Sequence, residues 1–316
     1  MQIVNATGRE DIATVHIADM GEGKLVEFVE STQPPLTRDK KWVLIISVLF
    51  GCPVGCLMCD AGGGYKGKLS AEQMFDQIDY LIRQQFPDGH VPVEKFKIQF
   101  ARMGEPALNP AVIDVLNEIE ERYDVPGFLP SVSTIAPAAG TDEFFERLLD
   151  LKRRKYPDGR FQLQFSIHTT DEALRDKIVP VKKWSFAQIA DYVRQFHETG
   201  DKKITLNFAL AEGTPLEPGV LLQHFSPEKF IIKITPINPT HRAVENKLVS
   251  YIDAYNGHHD YEIVNSLRTA GYDVILSIGE VEENRIGSNC GQFVIRHLKA
   301  QSPAGVDGRK GYDYWE

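Results

Sequence analysis

From about residue 42 onward, short apolar runs rich in β-branched residues alternate with longer amphipathic stretches. The runs 42–49 (WVLIISVL), 96–101 (FKIQFA), 130–135 (PSVSTI), 161–167 (FQLQFSI), 203–210 (KITLNFAL), 230–235 (FIIKIT) and 272–277 (YDVILS) have the length and content of strands. Between them, 70–86, 110–123, 141–154, 185–198 and 259–270 read as helices. The first begins Ser70, Ala71, Glu72, Gln73, the spacing of a capping box. Parallel strands need crossover connections, so the alternation predicts a mostly parallel sheet with helices outside it. Six or seven such units, with no G-x-G-x-x-G after a strand, favour an α/β barrel, partial or full, over a dinucleotide-binding sheet. Residues 1–40 read as a short β-rich lead-in, 41–279 as the barrel and 280–316 as a C-terminal extension.

In such a barrel the chemistry gathers in the loops after the strands. The first of these loops holds three of the four cysteines: "GCPVGCLMC" places Cys52, Cys56 and Cys59 as C-x3-C-x2-C. A structural zinc site wants four ligands, generally as two C-x2-C-like pairs, which this spacing fits poorly. A zinc knot closed by Cys290 stays the alternative. An iron–sulfur cube held by three thiolates leaves one iron open for a substrate or cofactor. The glycine-rich "DAGGGYKG" follows as a turn around the site. "RMGEPALNP" falls in the second loop and "TIAP" in the third.

Composition narrows the picture further. The 316 residues, 42% of them hydrophobic, suffice for one large core or two ordinary ones. A formal charge of −9 without a dense basic block weighs against a partner gripped through its phosphates. The amino terminus lacks a basic start followed by an apolar stretch, and the uncharged run 42–59 is too short to cross a bilayer. These features point to a soluble, cytoplasmic protein whose few cysteines are ligands or reactive groups rather than disulfides.

The three-cysteine loop resembles that of the radical S-adenosylmethionine superfamily. Five later segments, "QFARMGEPALN", "PSVSTIAP", "FSIHTTDEALRDKIVPVKK", "KITPINP" and "SNCGQFV", resemble in order those of the RlmN/Cfr class A methylases. The resemblance implies a partial (β/α)6-type barrel, a [4Fe–4S] cluster on Cys52, Cys56 and Cys59, and S-adenosylmethionine on the open iron. One-electron cleavage of that cofactor then gives a 5′-deoxyadenosyl radical. Gly104 and Glu105 would lie along its methionine moiety, and Ser133, Ser166, His168 and Asn238 around its ribose and adenine. Cys290 matches the cysteine that carries the one-carbon unit to an sp2 carbon, and Glu283 is a candidate base beside it. An electron donor such as flavodoxin or ferredoxin is implied.

Two departures bear on the reaction. The family's scheme uses a further thiol seven residues before the first cluster cysteine, to release the substrate adduct, and that position is Ile45. The rRNA methylases also carry a longer RNA-contacting region ahead of the barrel. The expectation is therefore a methylase-like enzyme acting through Cys290 on a small, non-ribosomal molecule, with no nucleic-acid or membrane partner. The alternative is an RNA adenosine C-methyltransferase helped by a partner protein or an external thiol.

Overall fold

The computed structural model describes residues 1–32, 34–254, 260–278 and the single positions 286 and 294. Its main sheet has ten strands. Three antiparallel strands, β1 (Gln2–Arg9), β2 (Ala13–Asp19) and β3 (Leu25–Ser31), lead into β4 (Lys41–Ile46). A small antiparallel hairpin, β5 (Leu49–Cys52) and β6 (Gly63–Lys68), stands apart from this sheet. The main sheet continues through β7 (Lys95–Phe100), β8 (Phe128–Thr134), β9 (Gln162–Ser166), β10 (Ile204–Ala209), β11 (Phe230–Thr235) and β12 (Asp273–Leu276), each parallel to the one before.

The helices in chain order are α1 (Ala71–Gln85), α2 (Ala111–Arg122), α3 (Asp142–Lys155), α4 (Glu172–Ile178), α5 (Phe186–Phe196), α6 (Pro218–His224), α7 (His241–Glu245) and α8 (Glu262–Thr269). The predicted strands and the five predicted helices all have counterparts. Ser70 caps α1 by accepting the Gln73 N–H, and the Gln73 side chain returns to the Ser70 N–H, completing the anticipated box.

Alternation of burial along the strands explains how the sheet curls. On β4, Trp42, Leu44 and Ile46 are fully buried, while Lys41, Val43 and Ile45 between them are half-buried. The same two-residue period runs along β7 and β11. The buried set forms the core beneath the helices, where Trp42 stacks on Phe96 at 5.2 Å and α1 contributes Met74, Phe75, Ile78, Leu81 and Ile82. The half-buried set lines a cavity that β4 and β12, the two ends of the parallel run, share. The sheet is thus an α/β barrel that hydrogen bonds do not close.

The predicted run 42–49 is broken where it matters most. After Ile46, the Ser47 N–H donates to Gln77 Oε1 of α1, and the N–H groups of Val48 and Leu49 donate to the Met103 carbonyl. These bonds end β4 and turn the chain into the hairpin that carries Cys52. Among the described residues no helix is long and apolar enough to cross a membrane.

Candidate active site

The cavity occupies about 880 Å³ and runs from the loops at the strands' C-terminal ends into the barrel. Cys52, Cys56, Cys59, Gly104, Glu105, Ser133, Ser166, His168 and Asn238 all line it, so nine residues picked from the sequence meet in one place. Ile45 lines it too, on β4. Cys290 and Glu283 lie outside the described residues. Ile286 and Val294, on either side of Cys290 in sequence, pack against the apolar group that includes Cys52, Cys56 and Cys59.

The cysteine loop is held by bonds that sequence reasoning missed. Asp60 accepts the N–H groups of His241 and Arg242 at 3.1 and 2.9 Å, so it satisfies two free donors at the start of α7. Thr240 Oγ1 donates to the Met58 carbonyl, Arg242 to that of Gly55, and Asn246 to that of Leu57. A carboxylate directly after C-x2-C, about 180 residues from its partner helix, gives no local sign of this clamp.

All three thiols are free, and burial pushes each above the ordinary thiol range, Cys52 to about 12. For Cys52 and Cys56 the neighbouring thiolates and Glu105 push the same way. Deprotonated together, the three sulfurs would need positive charge among them, which is what an iron–sulfur cluster held by three thiolates would supply. Among the described residues no group of three His, Cys, Asp or Glu side chains is arranged to hold a single metal ion.

Gly104 has φ +101°, and a Cβ there would come within 2.5 Å of the Leu49 side chain, so only glycine lets this loop pass the hairpin. Glu105 behind it is buried and accepts Thr134 Oγ1–H at 2.5 Å, the Ile135 N–H at 2.9 Å and the Ala107 N–H at 3.0 Å. Burial nevertheless outweighs these donors and lifts its carboxyl to about 7. His168, also buried, sits at φ +69° and accepts the Ala209 N–H on Nδ1 at 3.2 Å. That bond fixes the neutral tautomer with the proton on Nε2. Burial, and secondarily the Arg175 charge, lowers its pKa to about 4. Ser133 Oγ accepts from Gln99 Nε2 at 3.2 Å.

Below this rim the barrel interior is polar. Lys97 and Gln99 on β7, Gln162 and Gln164 on β9, Thr205 and Asn207 on β10, and Lys233 on β11 all face the cavity. The lysines in "KFKIQF" and "FIIKIT" were visible as charges inside apolar strands, a signal that the sequence reading passed over.

Known proteins resemble the chain as a whole. No family model matches the chain. The dual-specificity RNA methyltransferase RlmN of Wolinella succinogenes is 25% identical over 280 residues, covering 85% of this chain and 74% of its own length. A probable RlmN of Desulfitobacterium hafniense is 28% identical over 214 residues, 64% and 55% of the two chains, and one of Saccharopolyspora erythraea 26% over 283 residues, 86% and 71%. The chain resembles RlmN over most of its length. A crystal structure of a radical SAM methyltransferase from Sphaerobacter thermophilus shares the fold, with a TM-score of 0.67 at 21% identity over 92% of this chain and 80% of that one. The sequence relatives are thus named as RNA methyltransferases, and the solved neighbour that shares the fold is a radical SAM methyltransferase.

Proposed function

We propose that this RlmN-like protein transfers a one-carbon unit by way of Cys290 to an sp2 carbon of a small molecule enclosed in the barrel. The observation that carries this reading is the cavity itself. Its volume stands near the top of the range of about 300–1,000 Å³ for sites that enclose drug-sized ligands. Its polar lining descends well below the rim where the cofactor residues gather. When bound, the cluster and S-adenosylmethionine supply one-electron chemistry at a sulfonium.

The protein's own side chains then have distinct tasks. Gly104 lets its loop pass close under the hairpin, and the Glu105 carboxylate beside it offers an acceptor for an ammonium. Ser133, Ser166 and Asn238 present hydroxyl and amide groups to a ribose or base. His168, held neutral, presents an N–H donor rather than a positive charge. Ile45 puts an aliphatic wall where a resolving thiol would stand, so release of the product adduct falls to another group.

The test is anaerobic reconstitution followed by iron and sulfide analysis, an assay for 5′-deoxyadenosine, and mass analysis of the Cys290 peptide. About four irons per chain, cofactor cleavage and an added methyl on Cys290 are expected. An unmodified Cys290 after incubation with cofactor and reductant would remove the carrier step. The relatives' names favour a second reading, an RNA substrate. RNA fragments that bind at moderate salt and lose affinity as salt rises would support it, whereas the excess of 44 acidic over 35 basic residues speaks for no binding.

A further inference from the structure

The barrel interior carries charge opposite to that of the molecule. The chain bears a formal −9, yet the cavity lining contributes Lys41, Lys95, Lys97, Lys233 and Arg102 against one carboxylate, Glu105. Arg102 is taken up by Glu27, at 2.8 Å. Lys97 and Lys233 have no such arrangement. Neither ammonium takes part in a hydrogen bond or ion pair with any described residue, and the charges that act on Lys97 are those of Lys233, Lys41 and Lys95.

Even a half-buried ammonium without a counter-ion is disfavoured, and two that repel each other are more so. A fold that keeps both facing an open chamber is prepared for an anion from outside. We propose that Lys97 and Lys233 form the floor of the substrate site and bind an oxyanion, the phosphate or carboxylate of the small molecule that the enzyme modifies.

The amides of Gln99 and Gln164 line the same cavity and can donate to the anion's remaining oxygens. Asn207 lies across from Lys233 in the β10–β11 register, and its Oδ1 has no hydrogen-bond partner among the described residues. It is placed to accept from a hydroxyl or N–H next to the acidic group. Lys97 lies three residues before the end of β7 and Lys233 two before the end of β11. At about 3.3 Å per residue, their backbones stand roughly 7–10 Å below the rim. A substrate that reaches both ends therefore has its acid at one extremity and its reacting carbon at the other. Burial lowers the pKa of both lysines, that of Lys97 to about 7, so a bound anion would also favour their charged forms.

This assignment rests on reading the cavity as the substrate chamber, but its test does not depend on turnover. The reconstituted full chain is labelled with acetic anhydride, with and without inorganic phosphate or malonate at constant ionic strength, and each lysine is followed by peptide mass spectrometry. Several-fold slower labelling of Lys97 and Lys233 is expected, with no change at the exposed Lys177 on α4. Protection by phosphate alone or malonate alone supports the site and tells which acid it takes. In Lys233→Gln the protection of Lys97 should fall several-fold. Unchanged labelling of both lysines with either probe overturns the proposal, as does equal slowing at Lys177, which marks an adventitious ion only. A chain that gathers no iron would refute the radical reading and leave the labelling result standing.

Discussion

Glu105 and His168 are buried in one cavity, and burial moves their proton affinities in opposite directions. The Glu105 carboxyl is lifted from 4.5 to about 7, so the stability tied to its neutral form is full below about 4.5 and is lost as pH rises through about 7. The His168 imidazole is lowered from 6.5 to about 4, so the stability tied to its neutral form is full above about 6.5 and is lost as pH falls through about 4. Each shift corresponds to roughly 3 kcal/mol at its far limit. Glu105→Gln stays neutral and should spare the chain the loss on the alkaline side. His168→Asn, a residue that tolerates positive φ, should spare it the loss on the acid side. Urea unfolding between pH 4 and 8 checks both. A Glu105→Gln curve parallel to wild type would mean that this carboxyl ionises normally. His168 shows the limit of sequence reading at this scale. Its place at a strand end was legible, but its left-handed backbone and its bond to Ala209 depend on the neighbouring strand.

At the scale of elements, the repeating units were legible because each parallel strand and its helix write their own periodicity into consecutive residues. β7 and α1 needed only local patterns. The run 42–49 misled because its apolarity continues past the point where Gln77 and Met103 end the strand, and neither residue is close in sequence. Short α4, α6 and α7 left too few turns to display a helical period. α7 nonetheless fixes the cysteine loop through Asp60. Asp60→Ala would strand two N–H donors at the helix start and release the loop from its clamp, at a cost of about 1–3 kcal/mol. The expected outcome is a cluster that forms but is lost faster to a chelator, followed by its visible absorbance, while urea unfolding of the cluster-free chain shifts only slightly. Asp60→Asn, which keeps one acceptor, should fall between. Equal chelation rates in all three proteins would show that the clamp does not hold the cluster loop.

Across the whole molecule, one buried ion pair joins parts that the sequence analysis had set apart. Glu27 comes from β3 in the lead-in, and Arg102 opens the loop that presents Gly104 and Glu105. Their side chains are 0% and 2% exposed, and Glu27 also accepts the Val294 N–H at 3.0 Å. The antiparallel strands thus do more than extend the sheet, since they brace the loop of Gly104 and Glu105 and hold Val294. Glu27→Ala leaves the Arg102 charge buried without this carboxylate and should cost about 3–5 kcal/mol in urea unfolding. Glu27→Leu combined with Arg102→Met replaces the pair with apolar groups of similar bulk and should recover most of that loss, because such exchanges are often neutral. Stability and positioning then separate. If the pair orients the loop, the double variant folds well yet binds S-adenosylmethionine several-fold more weakly than wild type in equilibrium binding. Wild-type affinity in the double variant would reduce the pair to a structural tie, whose work any well-packed apolar contact could do.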